Sequence, residues 1–253
     1  MERSTDYEAL RRELNWEVAR AELGLTDGGP VNIGRICTDR IVEQGLGDKT
    51  ALIHEDHAGE IRTFTFEDLK QFSNGWASFL ASNEVGRLDR VCLFLDRAPE
   101  LYIAFLGILK LGAVVQPLFS AFGEEALLSR MEGCKTAVAI TQRKHLSKMR
   151  RARKSLPDLK LIIVIDHDPA GKPLKEGEVA FHMADHRVDQ FEIAETYAES
   201  PSVLHYTSGT TGQPKGALHV HGSIVSQYFT SKLVLDLGPD DIYWCTADPG
   251  WVT

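Results

Sequence analysis

The stretch Thr207-Ser-Gly-Thr-Thr-Gly-Gln-Pro-Lys-Gly216 is the most unusual part of the sequence and decides how the rest is interpreted. Four hydroxyl residues, three glycines and one lysine lie within its ten positions. Glycines let backbone N–H groups approach phosphate oxygens, hydroxyls add uncharged donors, and Lys215 adds a compact cation. The composition therefore predicts a loop that binds an oligophosphate.

Two familiar phosphate motifs do not fit this stretch. A Walker A loop requires lysine directly after its second glycine, whereas Gln213 and Pro214 separate Gly212 from Lys215. No Gly-x-Gly-x-x-Gly fingerprint opens a helix either. A hairpin turn that uses Gly and Thr for turn chemistry alone is the alternative. The combination of four hydroxyls, three glycines and a lysine favours phosphate binding.

Strand-like and helix-like patterns alternate on both sides of the loop, which predicts an α/β fold of stacked, mostly parallel sheets flanked by helices. Thr65 and Asp68 indicate a capping box at the start of one helix, Pro99 the first turn of the next, and Gly112 its end. The predicted strands are Thr50–His54, Ile61–Phe66, Arg90–Asp96, Ala113–Pro117, Thr136–Thr141, Lys160–Asp166, Ser202–Thr207, Gly216–Val220 and Asp241–Thr246.

Composition and charge limit the partners and the compartment. The 28 Lys+Arg and 36 Asp+Glu among 253 residues give a net charge of −8, which disfavours nucleic-acid binding. No apolar run is long enough to cross a membrane. The first residues show no secretory signal, so a cytoplasmic location is expected. The four cysteines lack Cys-x-x-Cys spacing and predict no metal site.

The loop, read with Tyr206 before it, resembles the phosphate-loop signature of the acyl-adenylate-forming superfamily. The segment from Trp244 to Thr253 is similar to the stretch by which AMP-forming acetyl-CoA synthetases build their carboxylate pocket, with Pro249 in place of the usual Val or Ile. Asn15-Trp16 and the run Ala98–Ala113 also resemble that group. The resemblance implies the first part of the large domain of an adenylate-forming enzyme.

This resemblance implies a two-step reaction with ATP, Mg²⁺, a short carboxylate such as acetate, and CoA. The carboxylate attacks the α-phosphate to give acyl-AMP and pyrophosphate, and the CoA thiol then releases acyl-CoA and AMP. The residues implied to hold the β- and γ-phosphates are Thr207, Ser208, Gly209, Thr210, Thr211, Gly212 and Lys215. Those implied to line the acyl and CoA-thiol pocket are Trp251, Val252 and Thr253.

The resemblance also implies that the adenine- and ribose-binding residues and the adenylation lysine would follow Thr253, so no catalytic residue is assigned. We expect an N-terminal part of such a ligase, inactive alone and prone to self-association. Residues 1–45 are expected to form a peripheral helical segment, 46–200 a first α/β subdomain, and 201–253 the phosphate loop and the start of the pocket. The alternatives are another acyl-CoA synthetase, an amino-acid adenylation domain, or a non-catalytic nucleotide- or partner-binding module.

Two further patterns invite functional hypotheses. His219 and His221 have the spacing of ligands on one strand face, but no third ligand stands nearby, so roles other than metal binding are favoured. Seven basic residues lie between Arg143 and Lys154. They predict a solvated helix, with a dock for a CoA phosphate as the alternative.

Overall fold

The computed structural model describes residue 8, residues 15–207 and residues 214–250. The strands of these residues are β1 (Thr50–Glu55), β2 (Ile61–Thr65), β3 (Arg90–Phe94), β4 (Val114–Pro117), β5 (Val138–Thr141), β6 (Leu161–Val164), β7 (Glu178–Ala180), β8 (Pro201–Thr207) and β9 (Lys215–Val220). The helices are α1 (Trp16–Glu22), α2 (Ile33–Cys37), α3 (Asp39–Ile41), α4 (Phe66–Ser82), α5 (Pro99–Lys110), α6 (Glu124–Gly133), α7 (Arg143–Arg153) and α8 (Ser223–Leu233).

A seven-stranded sheet in the order β7-β6-β5-β3-β4-β8-β9 forms the centre of the fold. Every neighbouring pair is parallel except β8 and β9, which form an antiparallel hairpin at one end. Strands β1 and β2 make a separate antiparallel pair. The predicted α/β class with a mostly parallel sheet is therefore confirmed.

Both faces of the sheet are covered by helices. Val91 and Leu93 of β3 belong to a core formed with α4 and α5, whereas Cys92 and Phe94 belong to a second core formed with α6 and α7. A strand buried on both faces has no polar side to present, and for that reason the central strands are apolar at successive positions.

The helix boundaries follow the sequence signals. The Thr65 hydroxyl accepts the Asp68 N–H at 3.1 Å and the Asp68 carboxylate accepts the Thr65 N–H at 2.9 Å, which completes the predicted capping box of α4. Pro99 occupies the first turn of α5, and Gly112 just beyond that helix has a φ of +75°. Glycine adopts this left-handed conformation without strain, so the chain turns from α5 into β4.

A third core joins the N-terminal helices to the helix that follows the hairpin. Ala19 and Leu23 of the α1 region pack with Val225 and Phe229 of α8. The N-terminal helices therefore pack against the helix that directly follows the β8–β9 hairpin and the predicted phosphate-binding loop. No helix within the described ranges has the length and apolar character needed to span a membrane.

One predicted strand is absent from the described structure, and one observed strand was not predicted. Asp241–Thr246 is irregular, and its apolar side chains Ile242 and Trp244 are 83% and 78% exposed. In the described part of the chain no strand lies beside it, so it has no ladder of hydrogen bonds to join. Conversely, β7 is a three-residue edge strand that its short sequence did not reveal. The expected boundaries at residues 45 and 200 stay predictions.

Candidate functional site

The predicted phosphate-binding loop (residues 207–216) connects the two strands of the β8–β9 hairpin. Thr207 pairs with Lys215 as the last pair of the antiparallel register, and the Thr207 hydroxyl donates to the Lys215 carbonyl at 3.5 Å. Both ends of the loop are therefore held by the sheet. Ser208, Gly209, Thr210, Thr211 and Gly212 lie outside the described residues.

The hairpin register brings the two described candidates together. Side chains alternate along each strand, and because Thr207 pairs with Lys215 they share one face of the hairpin. His205 and His219 lie on that same face, with ring centroids 5.6 Å apart. Lys215 is exposed, so its ammonium group is accessible to an anion. We call this surface the phosphate face.

The phosphate face lies at the carboxyl edge of the sheet. Strand β8 runs parallel to β4, with Val203 beside Val115, so Thr207 and the residues just after β4 reach the same edge. In open parallel sheets this edge is where ligands bind. The position therefore suits a nucleotide whose phosphates contact the loop.

The segment that leads to the predicted acyl pocket also reaches this face. The His205 ring Nε2 lies 3.3 Å from the Pro249 carbonyl oxygen. Gly250 packs against the backbone of Leu118 and Phe119 just after β4, where a Cβ atom would overlap the Phe119 nitrogen. Trp251, Val252 and Thr253, which follow directly, lie outside the described residues. Sequence reasoning missed His205, because it belongs neither to the loop nor to the pocket pattern. Gly250 lies within the Trp244–Thr253 stretch but was not singled out as a site residue.

The other face of the hairpin borders an open cavity of about 460 Å³ next to α6. Its lining residues are Ser129, Gly133, Cys134, Leu204, Tyr206, Pro214 and Gly216. Burial, followed by the Cys134 thiol, raises the pKa of Tyr206, so its phenol stays protonated at neutral pH. This face offers neutral groups and no lysine, which separates it chemically from the phosphate face.

The base of the hairpin is tied to the N-terminal region by His221. This side chain is fully buried, and its Nδ1 accepts the Ile33 N–H at 3.1 Å. Its Nε2 has no hydrogen-bond partner among the described residues. Burial lowers the pKa of His221 to about 4, so the ring is neutral at pH 7. Because Nδ1 accepts from Ile33, the neutral ring carries its proton on Nε2, so neither nitrogen offers a free lone pair to a metal.

Protonation of His221 should destabilise the fold in mild acid. The unfolded ring takes up a proton near pH 6.5 and the folded ring only near pH 4, so stability falls as pH drops between these values. From pH 7 to pH 5 we expect a loss of about 2 kcal/mol that His221→Asn, which keeps an acceptor for Ile33, does not show. Urea unfolding at both pH values measures it. Equal losses in both proteins would contradict the buried neutral ring.

The basic stretch forms α7, and its arginines already have partners. Arg150 makes a bidentate contact with Glu178 at 2.7 and 2.6 Å, and Arg151 contacts Glu124 at 2.6 Å. Lys148 donates to the Phe122 carbonyl at 2.6 Å. These contacts favour the structural interpretation of the helix over a dock for a CoA phosphate. Within the described ranges no group of three or more His, Cys, Asp or Glu has the arrangement of a metal site.

A mostly parallel sheet with a glycine- and hydroxyl-rich loop at its carboxyl edge is the architecture of an α/β enzyme that handles nucleotides. The family described as AMP-binding enzyme matches residues 39–253, and the chain belongs to that family. Its relatives include acetyl-coenzyme A synthetases. That of Bacillus subtilis is 37% identical over 98% of this chain, and that of Deinococcus radiodurans is 37% identical over 96%.

Solved structures agree with this assignment. A Brucella canis acyl-CoA synthetase superposes with a TM-score of 0.84 over 97% of the chain at 27% identity. An acetoacetyl-CoA synthetase from Streptomyces lividans gives the same TM-score at 22% identity, which shows the shared fold. The chain spans 43% and 39% of the length of the two curated relatives and 43% of each of these structures.

Proposed function

We propose that this chain supplies the ATP-phosphate site and the beginning of the carboxylate pocket of an AMP-forming acetate–CoA ligase. The observation that carries the proposal is the phosphate face: Thr207, Lys215 and the segment before Trp251 meet on one side of the β8–β9 hairpin. Its similarity to acetyl-coenzyme A synthetases supports the choice of a short carboxylate.

In this proposal the substrates are MgATP, acetate and CoA, and the reaction has two steps. An acetate oxygen attacks the α-phosphorus of ATP. The bond between that phosphorus and the oxygen that bridges to the β-phosphate breaks, and pyrophosphate leaves. The sulfur of the CoA thiol then attacks the acetyl carbon, the bond from that carbon to the AMP phosphate oxygen breaks, and the thiol proton passes to solvent, which gives acetyl-CoA and AMP. Magnesium enters with the nucleotide, whose phosphate oxygens are the ligands that it prefers.

The role of the loop in the first step is electrostatic. The Lys215 ammonium and the Thr207 hydroxyl, with Ser208, Gly209, Thr210, Thr211 and Gly212, hold the β- and γ-phosphates. They thereby place the α-phosphate for attack and stabilise the charge on the departing pyrophosphate. Trp251, Val252 and Thr253 form the wall of the acyl and CoA-thiol pocket, with Val252 against the methyl group. No catalytic acid, base or adenylation lysine is assigned within this chain.

Replacing Lys215 by alanine should weaken binding of magnesium pyrophosphate to the chain by ten- to a hundredfold. A hydrogen bond between an ammonium group and a phosphate contributes about 1.5–3 kcal/mol, which corresponds to this range. Isothermal titration calorimetry measures the affinity. Lys172→Ala, which removes the same charge from an exposed loop, serves as the control and should bind like wild type. Unchanged affinity in Lys215→Ala would remove this lysine from the proposed site.

Acetate-dependent exchange of pyrophosphate into ATP, measured on the protein as its cell produces it, tests the ligase itself. We expect exchange with acetate to exceed exchange with longer carboxylates or amino acids. Exchange only with a longer acid or an amino acid would favour another acyl-CoA synthetase or an adenylation domain. Pyrophosphate binding without exchange for any acid would favour the non-catalytic module.

Two further parts of the proposal concern the surroundings of the enzyme. A cytoplasmic location follows from its soluble small-molecule substrates. Self-association is supported by the exposed apolar side chains Val234, Ile242 and Trp244, since contacts between molecules would remove their apolar surface from water.

A further inference from the structure

His205 lies two residues before Thr207 on the phosphate face and contacts the segment that leads to the pocket. Its Nε2 is 3.3 Å from the Pro249 carbonyl oxygen. Because a carbonyl oxygen only accepts hydrogen bonds, the ring donates from Nε2. Burial lowers the pKa of His205, although the bond to Pro249 opposes this, so the donor at neutral pH is the neutral ring.

A second contact holds the same segment. Gly250 packs against the backbone of Leu118 and Phe119, so closely that only glycine fits. Its N–H donates to the Asp248 carboxylate at 2.8 Å, which closes a tight turn through Pro249. The turn is therefore confined between the end of β4 and the His205 ring. Of these two supports, the His205 hydrogen bond is the one that a side-chain substitution removes without a steric clash.

We propose that His205 is a positioning residue for the proposed carboxylate pocket: its ring N–H holds the Pro249 carbonyl and thereby keeps the segment up to Gly250 beside the β8–β9 hairpin. This inference rests on the proposed function. Strand β8 then carries both positioning residues: Thr207 positions the nucleotide phosphates, and His205 positions the segment that leads to the carboxylate pocket. Attack on the α-phosphorus requires the carboxylate oxygen and the departing pyrophosphate to lie in line. Its rate is therefore sensitive to small displacements of the carboxylate relative to ATP.

The test compares His205→Leu, His205→Gln and His205→Glu with wild type in the acetate-dependent exchange of pyrophosphate into ATP, using the protein as its cell produces it. Leucine removes the donor and keeps apolar bulk, glutamine places an amide donor near the position of Nε2, and glutamate offers an acceptor at neutral pH. His57→Leu is the control, because it removes an exposed histidine from the segment between β1 and β2, which belongs to neither part of the proposed site. Hydrogen exchange of the peptide that contains Gly250 is the second measurement.

We expect His205→Leu to raise the KM for acetate about tenfold while the KM for ATP stays within about twofold, since one hydrogen bond corresponds to roughly that factor. Glutamate should be at least as harmful as leucine, and glutamine should restore most of the acetate KM. The amide of Gly250 should exchange faster in His205→Leu and at the wild-type rate in His205→Gln. A merely structural role would raise both KM values or none and would not be rescued by glutamine.

The inference fails if wild type is active and His205→Leu has an unchanged acetate KM, or if His57→Leu has the same effect as His205→Leu. It also fails if Gly250 exchange is the same in all variants. Absence of acetate-dependent exchange in wild type overturns the proposed function, and the pocket role of His205 falls with it. The two failures are distinguished by the activity of the wild-type protein.

Discussion

Replacing Arg150 by methionine should lower the free energy of unfolding by about 3 kcal/mol. Glu178 is 2% exposed at its side chain, and the bidentate guanidinium of Arg150 is its main charge partner. Removing one member of a buried pair leaves an uncompensated charge, which costs more than the pair itself contributes. The value is placed at the low end of the usual range because Arg150 is 26% exposed.

Thermal and urea unfolding measure this loss, which for a chain of this size corresponds to a fall of about 6–12 °C in Tm. Arg151→Met is the matched control: its ion pair with Glu124 is exposed on both sides, so its loss should cost less than about 1 kcal/mol. The double variant Arg150→Met with Glu178→Leu should recover most of the stability. Equal effects of the two single substitutions would contradict a buried, charge-dependent pair.

The effect of Arg150→Met should also depend on pH. Burial alone would raise the pKa of Glu178, but the hydrogen bonds from Arg150 and the Lys175 N–H and the charges of both residues outweigh it and lower the pKa. In wild type the pair therefore stabilises the fold above the unfolded pKa of about 4.3, and this contribution is lost as pH falls through the lower folded value. The difference between the free energies of unfolding of wild type and Arg150→Met should accordingly stay nearly constant from pH 7.5 to about pH 5 and shrink as the pH falls below about 4.3.

Replacing Trp76 by alanine should cost about 4 kcal/mol, the largest effect that we expect of any single substitution. The side chain is fully buried in α4, and its ring stacks on Phe181 with centroids 3.7 Å apart. Its removal loses the transfer free energy of a large aromatic group and leaves a cavity between α4 and the sheet.

Urea unfolding of Trp76→Ala measures this cost. Trp244→Ala is the matched control, since the same atoms are removed from a side chain that is 78% exposed, and it should change stability by less than about 1 kcal/mol. A cost below about 1.5 kcal/mol at Trp76 would mean that the neighbouring helices collapse into the cavity.

The sequence predicted the parts of the fold that depend on local signals. The capping box of Thr65 and Asp68 and the helix start at Pro99 need only neighbouring residues, and these predictions are confirmed. The apolar runs of the central strands implied a parallel sheet because only a sheet covered on both faces buries them. Asp241–Thr246 has a strand-like composition, but a strand also needs a neighbour, and composition does not report one.

The site shows the same division between local and distant information. The density of hydroxyls and glycines around Lys215 is visible in the sequence, and so are the strands on either side of it, but their antiparallel pairing in a hairpin is not. The partners of the basic helix are not visible, since Glu178 lies 28 residues from Arg150 in the chain. The contact of His205 with Pro249 spans 44 residues and leaves no trace in either segment alone. Such contacts arise only when the strands are placed beside one another.

The attachment of His221 to Ile33 has a consequence for shortened forms of this protein. A chain that began at residue 39 would keep every strand of the sheet, yet it would lose the N–H that the His221 ring accepts and the apolar cover of Val225 and Phe229. The base of the β8–β9 hairpin would then lose both its hydrogen bond to the N-terminal region and its apolar packing. Residues 15–38 thus stabilise the hairpin that leads into the predicted phosphate loop, although they lie almost two hundred positions before it in the sequence.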